Sequence, residues 1–251
     1  MTLALPAAAL LGLVVGSLLS VLAHRLPRGE SLVTARSHCP HCRQPVRPRD
    51  IIPVVSWLRL RGRCRDCGEP IARRYALVEA GTAALFVAVV IARRGDAAEL
   101  VLGLVLVAVL VPLALIDLDT RLLPNRIMLP AAVAALVLGT LLDASGEVER
   151  LLAALVAGAF FLLAALAFPR GMGIGDVKLA AVLGLFLGRD VAAALLVALV
   201  VGVLVGAVII ARKGVTEGRR TAVAFGPFLA LGGVVALLVG DDLVDAYVGT
   251  F

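Results

Sequence analysis

The sequence predicts an all-α polytopic membrane protein, about eight transmembrane helices with one small cytoplasmic insert. Three observations carry that prediction. Hydrophobic residues make up 61% of the 251 positions and mean hydropathy is +1.03. No soluble core hides that much apolar surface, so lipid is the solvent. The apolar residues come in long runs, and one segment, 25–75, has a different composition: Arg-rich, with several prolines and all four cysteines.

Eight apolar runs can be marked, at 3–23, 76–92, 99–116, 127–142, 151–168, 177–188, 191–211 and 223–240. The first has no basic residue before it and exceeds a signal-peptide core, so it reads as a retained membrane helix. The sixth is too short to span alone at about 1.5 Å per residue. It either extends back through the glycine motif before it or sits where the membrane is thin. Orientation follows from Lys and Arg. If 25–75 faces the cytoplasm, so do the loops near 117–126, 169–178 and 212–222. Twenty of the 24 basic residues then fall on that side, and only Arg93, Arg94, Arg150 and Arg189 fall on the other. The asymmetry fits the positive-inside rule and sets both termini outside. The expected organisation is a first transmembrane helix (1–24), the insert (25–75) and a helical membrane domain (76–251).

The insert carries Cys39-Pro40-His41-Cys42 and Cys64-Arg65-Asp66-Cys67. Each CxxC knuckle presents two thiolates, and two knuckles close a tetrahedral site, so the segment reads as a zinc-ribbon-like cytoplasmic insert holding one structural zinc. No cysteine is left over. A pair of disulfides is the alternative, disfavoured in a reducing compartment. His38 and His41 read as bystanders. Metal would staple an insert of roughly 50 residues that is too poor in apolar residues for its own core. The arginines suit anionic lipid headgroups better than nucleic acid, and no nucleic-acid partner is expected. Trp57 either docks the insert on the bilayer surface or forms its small apolar centre.

Two acidic motifs stand at the ends of apolar runs, on the predicted cytoplasmic face. In Ile116-Asp117-Leu118-Asp119-Thr120 the two carboxylates would point about 200° apart on a continuing helix, so only one faces a given partner. Asn125, after Pro124, reads as an N-cap of the next helix. In Gly171-Met172-Gly173-Ile174-Gly175-Asp176-Val177-Lys178 the glycines let backbone approach closely, and Asp176 opens a helix whose dipole favours negative charge. Solvated charges at helix ends are the bland reading of each motif alone. Carboxylates at bilayer depth are costly and are functional candidates by default. Two that meet can share a proton and activate water.

Other classes fit less well. Asp117-Leu118-Asp119-Thr120 copies the DxDxT signature of haloacid-dehalogenase-like phosphatases, but that fold needs a parallel sheet and no βαβ alternation appears. An ion-coupled transporter would place its acids near the midplane and show paired repeats. A zinc-stapled scaffold is the non-enzymatic alternative.

As a set, these motifs resemble the type IV prepilin peptidases, polytopic aspartic proteases. The match runs through His24-Arg25-Leu26-Pro27-Arg28-Gly29-Glu30-Ser31, the double-CxxC insert, Arg73-Arg74-Tyr75-Ala76-Leu77-Val78-Glu79, Asp117 seven residues before Pro124, and Gly173 to Lys178. The resemblance implies Asp117 and Asp176 as the catalytic pair, with Asp119 in reserve. Lys178 and Glu79 then stand as charge-tuning or substrate-contacting residues, and Gly173 and Gly175 as close-approach positions. It implies hydrolysis without metal, a prepilin or pseudopilin precursor as substrate, and a multi-pass bacterial inner-membrane location beside pilus or secretion assembly machinery. The cysteine insert further implies S-adenosylmethionine-dependent N-methylation of the new N-terminus, though no methyltransferase-like glycine-rich strand–helix motif is present.

Overall fold

A computed structural model describes residues 3–32, 37–168, 172–214 and 223–248, with side chains to residue 240. Among the described residues there is no β-strand, only two isolated bridges, His38 with Pro45 and Arg63 with Pro70. That removes the phosphatase fold. The helices are α1 (Ala4–Arg25), α2 (Val55–Arg59), α3 (Arg73–Ala92), α4 (Ala97–Thr120), α5 (Asn125–Leu142), α6 (Glu147–Ala167), α7 (Ile174–Leu187), α8 (Val191–Lys213) and α9 (Gly226–Val248). Each of the eight apolar runs is thus helical. Among the described residues, six stretches are long and apolar enough to cross a membrane, and one of them, Ile174–Lys213, contains both α7 and α8. The sixth run does extend back into the glycine motif, to Ile174. Gly171 lies outside the described residues.

The chain forms two compact units, Met1–Ile91 and Ala92–Phe251. In the first, α1 and α3 pack back to back at almost bare backbone. A Cβ on Gly12 would lie 2.6 Å from Ala83 Cα, and one on Gly16 would lie 2.9 Å from Glu79 Cα. Small residues that let helices touch are the usual means of association where no hydrophobic force acts between them.

The insert belongs to this unit. Its two knuckles repeat each other at an offset of 25 residues: Cys39 N–H donates to the Gln44 carbonyl (3.0 Å) as Cys64 N–H donates to that of Glu69 (2.8 Å). Arg43 and Gly68 take the same turn position with positive φ, 58° and 75°. Trp57 is the insert's centre. Its indole N–H donates to the Ile71 carbonyl at 3.2 Å, and its ring lies over Gly62, where a Cβ would come within 2.8 Å. Arg65 grips Asp50 through two bonds, at 2.8 and 2.5 Å, tying the second knuckle to the 48–50 turn.

The second unit is a bundle of α4 to α9. Leu106, Leu110, Leu113 and Ile116 of α4, Leu179 and Leu183 of α7, Ala194 and Ala198 of α8, and Leu229 and Ala236 of α9 are buried. Leu155, Leu163, Val203 and Leu204 are 60% exposed or more. Such a surface fits lipid and not water.

One end of this bundle is charged. Arg93 is buried and pairs with Glu99 at 2.9 Å and Asp190 at 3.7 Å. It also donates to the carbonyl of Leu237 at 2.7 Å, close to Val239, where α9 leaves helical geometry. Arg150 pairs with Asp143 at 2.9 Å and Glu147 at 3.1 Å, and the Arg189 amide donates to Glu149 at 3.0 Å. A cavity of about 220 Å³ opens among these groups. Two of the four basic residues that break the charge asymmetry, Arg93 and Arg150, are therefore neutralised inside the fold.

Candidate active site

Asp117 lies in the last turn of α4, 5% exposed, and Asp176 is the third residue of α7, 9% exposed. They lie at the same end of the second unit, where the start of α7 packs on the α4–α5 turn. Each is held by a backbone amide. Gly226 N–H, at the start of α9, donates to Asp117 Oδ2 at 2.8 Å in a buried bond. Gly173 N–H donates to Asp176 Oδ2 at 3.1 Å, and Asp176 N–H returns to the Gly173 carbonyl at 3.1 Å. Each aspartate is thus fixed in one orientation by a group that has no rotamer of its own.

Helix ends explain the placement. The α4 helix stops at Arg121, which turns left-handed (φ 54°) as its N–H closes on the Asp117 carbonyl at 2.8 Å. Asp117 therefore keeps helical backbone and a buried side chain. Asp119, two residues on, is exposed on the other side of the helix, as its angular offset requires. Gly175 packs on Leu123, where a Cβ would lie 3.0 Å from Leu123 Cβ, so the α7 start closes against the α4–α5 turn.

Two side chains have partners that the sequence did not indicate. Asn125 does not cap α5. Pro124 holds the N-cap position, and the Asn125 amide oxygen instead accepts from the exposed Lys178 ammonium at 3.0 Å. A residue at the first helical position cannot reach its own N2 or N3 amide from the extended geometry a cap requires. Glu79 is buried in the first unit, and its carboxylate accepts the Val54 N–H at 2.7 Å.

Gly226 was missed by sequence reasoning. The available signal was Gly226-Pro227 opening an apolar run, since proline at the first turn marks a helix start. Phe225 anchors that start: its ring lies 6.0 Å from that of the fully buried Phe161 of α6 and 5.8 Å from that of Phe228.

In the first unit the Cys39, Cys42, Cys64 and Cys67 sulfurs lie within 4.8 Å of one another, with Cys39 and Cys67 at 3.8 Å. Tetrahedral coordination at about 2.3 Å puts ligand sulfurs about 3.8 Å apart. The four cysteines can therefore hold one metal ion. The N–H groups of Cys42 and His41 draw the Cys39 thiol down to about 6. The Glu69 N–H favours the Cys67 thiolate, but desolvation and the neighbouring thiols outweigh it and push that group up to about 12. Four thiolates this close need a shared cation. His41 faces Glu69 at 3.5 Å and, like His38, is not in the cluster.

Comparisons with known proteins bear on both units. The bacterial Peptidase A24 N-terminal domain matches residues 10–93, and the type IV leader peptidase family matches residues 104–211. A prepilin leader peptidase/N-methyltransferase of Aeromonas hydrophila is 36% identical over 96% of this chain and 93% of that one. One of Bacillus subtilis is 35% identical over 94% and 95%. One of Myxococcus xanthus is 42% identical over 84% and 64%. No solved structure matches. The two profiles follow one another along a chain whose helices, two buried aspartates and four-sulfur cluster have now been described, and the chain belongs to the type IV leader peptidase family, a multi-pass membrane peptidase.

Proposed function

We propose that this peptidase is an aspartic endopeptidase that removes leader peptides from type IV prepilin or pseudopilin precursors at the cytoplasmic face of the bacterial inner membrane. The observation that carries the reading is the pair of buried carboxylates, Asp117 and Asp176, drawn from distant motifs and each held by one backbone amide. Two close carboxylates do not both ionise cheaply, so the pair shares a proton. The ionised member takes a proton from water as it attacks the scissile carbonyl, and the protonated member polarises the carbonyl oxygen. The roles then exchange: the newly protonated member delivers its proton to the departing amide nitrogen. The titration belongs to the pair. The relatives' printed names support the substrate class. Labour is divided along the chain, with 1–24 as an anchor, 25–75 as the insert and 76–251 as the peptidase domain.

The metal in the insert is a structural zinc, on the strength of the all-thiolate donor set and its spacing. Peptide hydrolysis runs on the carboxylates. N-methylation of the new N-terminus with S-adenosylmethionine is a second activity, supported by the relatives' names. Pilus or secretion assembly machinery is the partner that receives the product.

The test is cleavage of a prepilin-like peptide in detergent by wild type and by Asp117→Asn, Asp119→Asn and Asp176→Asn. Loss with the first and last, and retention with Asp119→Asn, supports the pair. Loss with Asp119→Asn in place of Asp117→Asn moves the pair by two residues. Cleavage by all three variants overturns the mechanism.

A further inference from the structure

The insert carries an apolar face that its own fold does not cover. Ile51, Ile52, Val55 and Leu58 are 48%, 49%, 54% and 61% exposed. Val55 and Leu58 are three apart on α2 and so share a side, and Ile51 and Ile52 lead into it. Trp57 is turned the other way, onto Gly62 and the Ile71 carbonyl. The small centre of the insert is therefore complete without these four side chains.

Three features say what covers them. First, depth. Val54, in the middle of this face, is hydrogen-bonded to Glu79, six residues past Arg73 at the start of α3. At about 1.5 Å per residue the Glu79 Cα is about 9 Å down the helix, and its side chain leans back toward Arg73, so the bonded Val54 amide sits somewhat shallower. An apolar face on an interfacial element sits about 5–10 Å into the headgroup boundary. Second, the backbone is bent to hold this depth. Val54 has φ 60°, costly for a β-branched residue, and the buried Glu79 carboxylate holds its amide. Third, charge. Segment 25–75 has twelve arginines and four acidic residues, and Arg49, Arg59 and Arg61, which flank the face in sequence, are exposed.

We propose that the insert is a membrane-surface reader. Ile51, Ile52, Val55 and Leu58 insert at the headgroup–acyl boundary beside α3, while the surrounding arginines bind anionic lipid headgroups. The metal cluster then sets the shape of a lipid-binding element and stands apart from the peptidase chemistry. The positive charge favours anionic over zwitterionic bilayers.

The whole protein in nanodiscs tests this. It has one tryptophan, so an added one is readable by difference. Leu58→Trp, with Val55→Trp as the second variant, gives blue-shifted extra emission in phosphatidylglycerol-containing discs. Lipids brominated along the acyl chain quench that emission by more than half, and phosphatidylcholine-only discs weaken the quenching. Gln44→Trp, on the first knuckle, gives emission that these lipids leave unchanged. Metal content of one ion per chain confirms the fold of each variant. Red-shifted, unquenched emission at both positions 55 and 58 overturns the proposal. So does a blue shift that appears only on dimerisation, which assigns the face to a second copy, or only with a prepilin peptide, which assigns it to substrate.

Discussion

The amide of Gly226 and the carboxylate of Asp117 meet at 2.8 Å across 109 residues of sequence. That bond joins the first turn of α9 to the last turn of α4. It leaves no room for a side chain: a Cβ at position 226 would lie 2.6 Å from Oδ2 and 3.0 Å from Cγ of Asp117.

Gly226→Ala therefore displaces Asp117 without changing any ionisable group. A shift of about 1 Å at a catalytic group costs about 100-fold. We expect kcat for a prepilin peptide to fall by about that factor, with KM within a factor of about three because peptide contacts elsewhere are untouched. Steady-state kinetics in detergent separates the two constants. A matching rise in KM would place the role of Gly226 in substrate binding.

Cys42→Ser opens the four-sulfur cluster. Structural sites of this kind contribute on the order of 10 kcal/mol to folding their domain. Bound metal should fall from one ion per chain to nearly none, and limited proteolysis should cut between residues 37 and 72, where the wild type resists. Elemental analysis and peptide mapping check both. Chelation of the wild type should reproduce the variant.

Arg150→Met removes the partner of Asp143 and Glu147 at the charged end of the bundle. Breaking a half-buried ion network costs about 2 kcal/mol. Tm in detergent should fall while the aspartate pair, at the other ends of α4 and α7, keeps its activity in the surviving fraction.

Asp143 also gives the stability a pH dependence. The Ser145 hydroxyl, Arg150 and the Gly146 N–H together hold its carboxyl down at about 2, below the unfolded value of about 3.9. Its contribution is present above pH of about 4 and is lost as the pH falls toward about 2. Wild type should be more stable than Asp143→Asn at pH 6, and the gap should close near pH 2. Thermal unfolding at the two pH values measures it.

The helices were legible because each apolar run is continuous and bounded by Gly, Pro or charge, and the CxxC spacing specifies its metal geometry wherever the insert lies. Asp117 and Asp176 stood out because a carboxylate at the end of an apolar run needs a reason. Gly226 did not: a backbone N–H carries no side-chain signature, and its partner is fixed only when α4 and α9 pack. Asn125 was misread because its cap-like position after Pro124 is local, while its bond to Lys178 depends on α7 arriving beside it. Arg93 and Arg150 were counted only as exceptions to a charge rule, and the folded bundle shows that acids pair with them.

The lengths of α7 and α9 have a consequence for water and substrate. The α7 helix has 14 residues, about 21 Å, and the apolar part of α9, Gly226–Gly240, is about 22 Å long. Hydrocarbon is about 30 Å thick. Both helices end together at the Arg93–Asp190 network. With that network at one membrane face, Asp176 and the Gly226 amide fall about 8 Å short of the other. On the proposed aspartic mechanism, hydrolytic water comes down a recess to reach them and a substrate lowers its scissile bond below the headgroups, which favours chains whose cut site follows their own hydrophobic helix into the membrane.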